Sequence, residues 1–187
     1  MNINIKFGTS GYRGIIGKDF TIAEVEAIAN AVAKYLSETF EHPKIVIGYD
    51  PRSGNSPVLL KGSFTQVLVD TFTNKNIEVL FPDTFIPTPV ISWLIKKENL
   101  SGGLILTASH NPPEYNGIKF NPSNGAPAPT ETTKIIEEKI SECISDPILV
   151  KTKKRSPIII SNTATHFAED LIKNITNFIP LSKKENL

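Results

Sequence analysis

Apolar residues along the chain follow two alternating spacings. Three nearly unbroken apolar runs have the length and flanking turn residues of strands that are buried on both faces. Between these runs, apolar residues recur every three or four positions, which is the spacing of a helix that buries one side. The predicted strands are 44–49, 77–81, 104–107 and a short fourth at 117–120, and the predicted helices are 22–39, 57–73, 88–99 and 130–144.

The alternation of strands and helices predicts an α/β fold. We expect a three-layer α/β/α sandwich with a mixed, mostly parallel sheet of about four strands. Turn chemistry supports two of the helix starts. Thr21 and Glu24 have the spacing of a capping box. Thr88 and Pro89 have the residue types of an N-cap and a first helical position.

The first residues combine a strand-like pattern with a glycine-rich loop. Ile3, Ile5 and Phe7 alternate with other residues as in a short strand. The glycines of residues 8–14 allow positive φ angles and the close approach of a partner. We therefore expect no regular structure in that loop.

The last part of the chain has a weaker pattern. Residues 145–162 contain the basic stretch 151–155 and a strand-like run at 158–160, and we interpret them as a connector. Residues from 164 to about 179 have helical spacing, but little sequence follows for that helix to pack against. The sequence thus predicts one domain over residues 1–150, and a connector with the first helix of a truncated second domain over residues 151–187.

Composition narrows the function classes. The 187 residues include 20 basic and 19 acidic side chains, and the net charge of +1 is too small to favour nucleic-acid binding. The chain has no apolar run of about 18 residues, so no membrane span is expected. The lone Cys143 cannot form an intrachain disulfide. Because the start also lacks a signal-peptide pattern, we expect a cytoplasmic location.

A serine at the end of a predicted strand is the strongest candidate for chemistry. Ser109 follows strand 104–107, and ligands of open α/β sheets gather at the carboxyl ends of strands. A serine can carry a phosphoryl group only where cations and hydrogen-bond donors surround the charge. The candidate donors and cations are His110, Asn111, Lys119, Arg13 and Arg52.

Each of these residues also has an ordinary structural explanation. A serine or arginine in such a loop is often a turn residue, and a lysine usually faces solvent. The alternation around Lys119, however, places Ile118 and Phe120 on the opposite face. The chain contains no P-loop, no dinucleotide fingerprint and no paired-cysteine metal spacing. Residues 107–111 do not form the nucleophile elbow of a serine hydrolase.

Two motifs resemble those of the α-D-phosphohexomutase superfamily, which includes phosphoglucomutase, phosphomannomutase and phosphoglucosamine mutase. Residues 8–14 read GTSGYRG and resemble its N-terminal loop, and residues 107–120 read TASHNPPEYNGIKF and resemble its phosphoserine loop. Residues 48–52 and 87–89 are weaker matches. The likeness covers about residues 5–145, which corresponds to the first domain of the superfamily.

The resemblance implies roles for the candidate residues. Ser109 would be the phosphoserine, with one phosphate oxygen as a magnesium ligand. Arg13 and Lys119 would contact a bisphosphosugar, with Lys119 as proton acceptor or charge stabiliser at the sugar hydroxyl. The further candidates are His110 as a catalytic residue and Ser10, Asn111 and Arg52 as substrate-binding residues.

Other parts of a superfamily active site are missing from this sequence. The remaining Mg²⁺ ligands would lie in an Asp-Gly-Asp-x-Asp-Arg loop of a second domain, and the sugar would be held by a third and a fourth. The resemblance therefore implies a truncated chain, of natural or artificial origin, that is inactive alone and whose partners include the missing C-terminal domains. It also implies a hexose phosphate substrate, a Mg²⁺ cofactor and hexose 1,6-bisphosphate as activator.

The implied reaction interconverts hexose 1-phosphate and hexose 6-phosphate through a bisphosphate intermediate. Thr107 and residues 10–12 resemble the glucose and mannose branches more than the glucosamine branch. Two alternatives remain open. The chain could be a noncatalytic binding module derived from a mutase first domain. It could also be a phosphoserine phosphorelay protein unrelated to sugars.

Overall fold

A computed structural model of the chain describes residues 5–145 and 156–178. Within these residues, six strands and five helices alternate along most of the chain. The strands are β1 (Tyr12–Ile15), β2 (Lys44–Tyr49), β3 (Glu78–Pro82), β4 (Gly102–Leu106), β5 (Tyr115–Pro122) and β6 (Ile158–Ile160). The helices are α1 (Ile22–Thr39), α2 (Phe64–Asn74), α3 (Thr88–Lys97), α4 (Thr130–Ser145) and α5 (Thr163–Phe178).

The strands form one mixed sheet in the order β1-β5-β4-β2-β3-β6. Strands β4, β2, β3 and β6 are parallel to one another, while β5 runs antiparallel to both β4 and β1. The predicted α/β class and the mixed, mostly parallel sheet are confirmed. The described residues contain six strands instead of about four, because both edges of the sheet carry a strand that the sequence pattern did not predict.

Apolar side chains fill both faces of the sheet. Along β2, Ile45 and Ile47 pack into a cluster with α1, α2 and α4, whereas Val46 packs into a second cluster with α3. Alternation of side chains along a strand produces this division. The result is the predicted three-layer sandwich, with the sheet between two helical layers.

Helix α1 begins where the capping box predicted. The Thr21 hydroxyl accepts a hydrogen bond from the Ala23 amide at 3.2 Å, and the Glu24 carboxylate accepts one from the Thr21 amide at 2.9 Å. These bonds satisfy amide groups that the first turn of a helix leaves without partners. The predicted bounds of 22–39 are confirmed.

Helix α2 is shorter than the predicted helix over 57–73. It begins at Phe64, after two residues with left-handed backbone angles, Leu59 with φ 47° and Gly62 with φ 82°. The Ser63 hydroxyl caps the helix by accepting from the Gln66 amide at 3.2 Å. Residues 57–63 therefore form turns, because left-handed residues interrupt a right-handed helix.

Helix α3 starts at Thr88, with Pro87 rather than Thr88 as the N-cap, and ends two residues before the predicted Asn99. Strand β4 then begins at Gly102, two residues before the predicted strand 104–107. A Cβ atom at Gly103 would lie 2.9 Å from side-chain atoms of Ile91 and Ile95. The glycine therefore allows α3 to pack directly on β4.

The N-terminal edge of the sheet differs from the prediction. Residues 5–7 have no regular structure, although Ile5 and Phe7 are buried, and Ile3 lies outside the described residues. Part of the glycine-rich loop instead forms β1, which pairs with β5. Residues 12–15 form a strand because they pair with β5, which is about 100 residues away in the sequence. The pattern of apolar residues within one short segment does not contain that information.

The C-terminal edge also carries an added strand. Residues 158–160, interpreted as part of a connector, form β6 and pair with β3. Helix α5 follows and packs on α3, where the ring centroids of Trp93 and Phe167 lie 5.7 Å apart. The basic stretch 151–155 and the predicted boundary near residue 150 lie outside the described residues.

Among the residues that the structure describes, no helix has the length and apolar character needed to cross a membrane.

The late start of α2 predicts unequal effects for two leucines of the predicted helix. Leu68 is fully buried in α2, whereas Leu60 precedes it and is 59% exposed. Leu68→Ala should lower the free energy of unfolding by about 2–5 kcal/mol because it leaves a cavity. Leu60→Ala, the matched control, should change it by less than about 0.5 kcal/mol. Denaturant unfolding of both variants measures the difference, and equal losses would contradict the observed helix start.

Candidate active site

Ser109 lies in the loop between β4 and β5. Its backbone is in the left-handed region, with φ 58°, which is uncommon for a residue other than glycine. The Thr107 hydroxyl accepts a hydrogen bond from the Ser109 amide at 3.0 Å, and the Asn111 amide donates to the Ala108 carbonyl at 3.1 Å. The loop thus holds an exposed serine in a defined, strained conformation.

His110 lies beside the Ser109 hydroxyl. The distance between the Ser109 Oγ and the His110 Nδ1 is 3.1 Å, and both side chains are exposed. With Nδ1 unprotonated, this nitrogen can accept the hydroxyl proton. The structure therefore brings the predicted phosphoryl carrier and a possible proton acceptor into contact.

The pairing of β1 with β5 places two cations on one face of the sheet. Arg13 lies opposite Gly117, and Lys119 is two residues further along β5, so its side chain shares the face of position 117. A Cβ atom at Gly117 would lie 2.9 Å from the Arg13 Cγ, and one at Gly11 would lie 2.9 Å from the Lys119 Cγ. The two glycines provide the space that these side chains occupy.

Arg13 also contacts the Ser109 loop. Its Nη1 donates to the Asn111 Oδ1 at 2.8 Å. Ser10 lies nearby in sequence, in an exposed turn closed by a hydrogen bond from the Gly11 amide to the Gly8 carbonyl at 2.8 Å. Arg13 and Asn111 are therefore brought together, whereas Ser10 faces solvent.

Lys119 has an altered ionisation. Burial lowers the pKa of its ammonium group, and the nearby Arg13 guanidinium lowers it further. Ile118 and Phe120, its neighbours in β5, are buried in the core, as the strand alternation predicted. A lysine in this setting can contribute positive charge to an anion and releases its proton more readily than an exposed lysine.

Arg52 reaches the same loop from the carboxyl end of β2. A guanidinium group has five N–H bonds. Each nitrogen is engaged here: Nε faces the Asp50 carboxylate at 3.3 Å, and the two Nη atoms contact backbone carbonyls at 2.8–3.0 Å. The four carbonyl acceptors belong to Ser109, Asn111, Pro112 and Tyr115.

Two asparagines that received no role from the sequence lie behind the loop. The Asn116 Nδ2 donates to the Asn55 Oδ1 at 3.0 Å, and the Asn116 Oδ1 accepts from the Gly117 amide at 2.8 Å. The Asn55 Nδ2 donates to the Asp50 carbonyl at 3.0 Å. Asn116 is fully buried. A polar residue at the start of a buried strand usually has hydrogen-bond partners inside the protein, so the position of Asn116 in the sequence was a signal for these contacts.

The described side chains do not bring together the ligands of a metal ion. Among residues 5–145 and 156–178, no group of three or more His, Cys, Asp or Glu side chains could hold a metal ion. Magnesium takes an octahedral set of oxygen ligands, and a phosphate on Ser109 would supply only part of that set. The residues described here do not form a magnesium site by themselves.

A groove of about 510 Å³ lies at the β6 edge of the sheet, away from the Ser109 loop. Its lining includes Trp93 and Ile159, together with Lys44 and Glu78, the first residues of β2 and β3. Ser109 follows the carboxyl end of β4, which is parallel to β2. This groove therefore does not belong to the Ser109 site.

Comparison with known proteins gives the family of this chain. Residues 4–145 match the family model described as phosphoglucomutase/phosphomannomutase, alpha/beta/alpha domain I. The chain belongs to the phosphoglucomutase/phosphomannomutase family. The resemblance carried by the two sequence motifs is thereby confirmed.

Individual relatives agree with this family. The chain is 34% identical to a phosphoglucomutase of Staphylococcus aureus strain MRSA252 over 191 aligned positions, which cover 98% of this chain and 33% of that protein. A structure from Thermus thermophilus, described as a phosphomannomutase, superposes with a TM-score of 0.73 and 27% identity, covering 95% of this chain and 37% of that one.

A more distant structure shares the fold. Parafusin, a phosphoglucomutase from Paramecium in an open form, has a TM-score of 0.63 and 21% identity, covering 90% of this chain and 34% of that one. The chain spans about a third of the length of the curated relatives it matches. It corresponds to their first domain.

The electrostatic effect of Arg13 on Lys119 predicts how the ionisation of Lys119 responds to loss of the arginine. Arg13→Met should raise the pKa of Lys119 toward the value of an exposed lysine, because one lowering charge is removed. Lys61→Met, which removes an exposed charge elsewhere, should leave that pKa unchanged. Titration of the labelled Lys119 side chain by NMR measures both.

The same shift has a consequence for stability. The folded chain binds the Lys119 proton more weakly than the unfolded chain does. The contribution of Lys119 to the free energy of unfolding therefore rises as pH increases from its folded-state pKa to its unfolded-state pKa. An unchanged Lys119 pKa in Arg13→Met would show that Arg13 does not act on this group.

Proposed function

We propose that this chain carries the phosphoserine of an enzyme that interconverts hexose 1-phosphate and hexose 6-phosphate, with glucose or mannose as the sugar. The observation that carries the proposal is the exposed Ser109 on a strained loop that Arg13 contacts through Asn111, with Lys119 beside Arg13. The names of the relatives, phosphoglucomutase and phosphomannomutase, support the sugar class.

In the first half of the reaction, phosphoserine donates its phosphoryl group to the free hydroxyl of a hexose monophosphate. The bond between phosphorus and the Ser109 Oγ breaks, and a bond between phosphorus and the sugar oxygen forms. The departing Oγ takes a proton from His110 in its protonated form and becomes the Ser109 hydroxyl. The proton of the sugar hydroxyl passes to Lys119 in its neutral form. Burial and the Arg13 charge support this role, because both make the neutral lysine easier to form.

In the second half, the bisphosphate intermediate turns and returns its other phosphoryl group to Ser109. The Ser109 hydroxyl must then lose its proton. His110 is the proposed acceptor, because its Nδ1 is 3.1 Å from the Ser109 Oγ. The bond between the transferred phosphorus and its sugar oxygen breaks, and that oxygen takes the proton held by Lys119. Positive charge from Arg13 and Lys119 stabilises the transferring phosphoryl group.

Substrate phosphate is proposed to bind at Arg13, Asn111 and Ser10. A Mg²⁺ ion bound to the phosphate of Ser109 would neutralise charge, with its other ligands supplied by domains outside this chain. Hexose 1,6-bisphosphate is the proposed activator, since it can phosphorylate Ser109. The single cysteine, Cys143, supports the proposed cytoplasmic location.

A second candidate function is that of a noncatalytic docking module. The apolar side chains of Leu171, Ile172 and Ile175 on α5 are 46–60% exposed, and such a face is typical of an interaction surface. This candidate predicts a stable complex in which Ser109 is never phosphorylated.

Replacement of the phosphoryl carrier should abolish transfer. A polypeptide that joins this chain to the remaining domains of the family should incorporate labelled phosphate from glucose 1,6-bisphosphate at Ser109. Ser109→Ala should incorporate none, because no other hydroxyl occupies the loop position. Ser37→Ala, an exposed serine on α1, is the matched control and should incorporate label normally. Peptide mapping by mass spectrometry locates the phosphate, and full turnover by Ser109→Ala would refute the proposed function.

The 187-residue chain by itself should not isomerise hexose phosphates above the uncatalysed rate. The described residues form no metal site, and the chain covers 33% of a relative that carries the named activity. A coupled assay with glucose 1-phosphate and with mannose 1-phosphate measures this. Turnover by the purified chain would show that the catalytic machinery is complete within it.

A further inference from the structure

The loop between β4 and β5 has more backbone acceptors than donors. Pro112 and Pro113 have no N–H groups, but their carbonyl oxygens still need partners. The Ala108 carbonyl accepts from the Asn111 amide, and the Glu114 carbonyl accepts from the Ile16 amide at 2.9 Å. The Pro112 carbonyl accepts from the Tyr115 amide at 3.0 Å, whereas the Ser109 and Asn111 carbonyls accept from a side chain outside the loop.

Arg52 supplies these donors. Its Nη2 contacts the carbonyls of Ser109 and Asn111, each at 2.9 Å, and its Nη1 contacts those of Pro112 and Tyr115 at 3.0 and 2.8 Å. The Arg52 side chain is only 13% exposed. Together with the bond to Asp50, these contacts use all of the N–H groups that a guanidinium has.

We propose that Arg52 is a positioning residue that holds the conformation of the Ser109 loop, and that it does not bind the substrate phosphate. The consequence for catalysis rests on the proposed function, whereas the effect on the loop does not. With each N–H already engaged, Arg52 could bind a phosphate only by releasing the loop.

Ser109 is held on both sides by this arrangement. The Thr107 hydroxyl accepts from its amide at 3.0 Å, and Arg52 donates to its carbonyl at 2.9 Å. The left-handed backbone of Ser109 is therefore fixed by contacts with both flanking peptide groups. The backbone conformation sets the direction of the Cα–Cβ bond of Ser109 and so limits where its hydroxyl can lie. Small displacements of a reacting atom strongly reduce the rate of a reaction.

The planar shape of the guanidinium, and not only its charge, is required for this role. Lysine keeps the positive charge but has a single nitrogen with three donors, and it cannot reach four carbonyls and a carboxylate together. Arg52→Lys therefore separates geometry from charge. Arg13→Lys is the matched control, because Arg13 contacts this loop through the Asn111 side chain and not through the backbone.

Hydrogen exchange in the 187-residue chain tests the effect on the loop. The reporters are the amides of Ser109, Asn111 and Tyr115, which are all hydrogen-bonded within the loop. Arg52→Lys should accelerate their exchange by about tenfold or more, while amides of β2 should change by less than about twofold. Arg13→Lys should change the loop amides by less than about twofold. Loop exchange in Arg52→Lys within that limit would overturn the proposal.

A measurement on the unmodified chain covers the case in which Arg52→Lys fails to fold. NMR of the guanidinium groups should give separate, slowly exchanging Nη proton signals for Arg52, because its bonds to the carbonyls prevent rotation. A single averaged Nη signal, as for a solvent-exposed arginine, would contradict the proposed contacts.

Kinetics of the polypeptide with all domains test the catalytic consequence. Arg52→Lys should lower kcat by about 100-fold while KM for the hexose phosphate changes by less than about twofold. Arg13→Lys should chiefly raise KM. A rise in KM alone for Arg52→Lys would identify Arg52 as a substrate ligand and overturn the proposal. Turnover by Ser109→Ala would refute the proposed function. The hydrogen-exchange and guanidinium NMR results would still test the contacts between Arg52 and the loop independently.

Discussion

Two successive prolines after Ser109 leave the loop between β4 and β5 short of backbone donors, and a single arginine side chain supplies them. Arg52 is placed to do so because β2 lies beside β4 in the sheet, so the segment that follows β2 emerges next to the loop. Each bond from Arg52 to a carbonyl stabilises this one conformation of the loop. The bonds from Arg52 therefore connect the order of the strands to the position of the serine hydroxyl.

The positions of Arg13 and Lys119 depend on β5, the strand that follows the loop. Strand β5 returns antiparallel to β4 and pairs with β1, so the glycine-rich segment lies beside the strand that carries Lys119. Gly11 and Gly117 leave space where a Cβ atom would meet the side chains of Lys119 and Arg13. The side chains of Arg13 and Lys119 thus lie beside two positions that have no side chain.

Much of the fold was predictable because local pattern and burial agree. The capping box at Thr21 and the apolar period of α1 indicated both ends of that helix, and the run 44–49 coincides with β2. The predicted start of α2 was wrong because the apolar spacing continues through residues 57–63, while left-handed residues and the Ser63 cap delay the helix. The edge strands β1 and β6 were not predicted, because each is short and exists by pairing with a distant strand.

The sequence by itself determined which family the chain belongs to, and it was the source of the proposal that Ser109 carries the chemistry. Ser109, Lys119 and Arg13 lie in motifs whose residue types and order are specific, and both properties are written in consecutive residues. Only the tertiary structure decided what Arg52 contacts and how the left-handed backbone of Ser109 is held. Each bond from Arg52 to a loop carbonyl joins two residues that are separated by 57 to 63 positions in the sequence. Whether all N–H groups of the guanidinium are engaged depends on every acceptor that the fold places near it. No pattern within one segment of sequence contains that information.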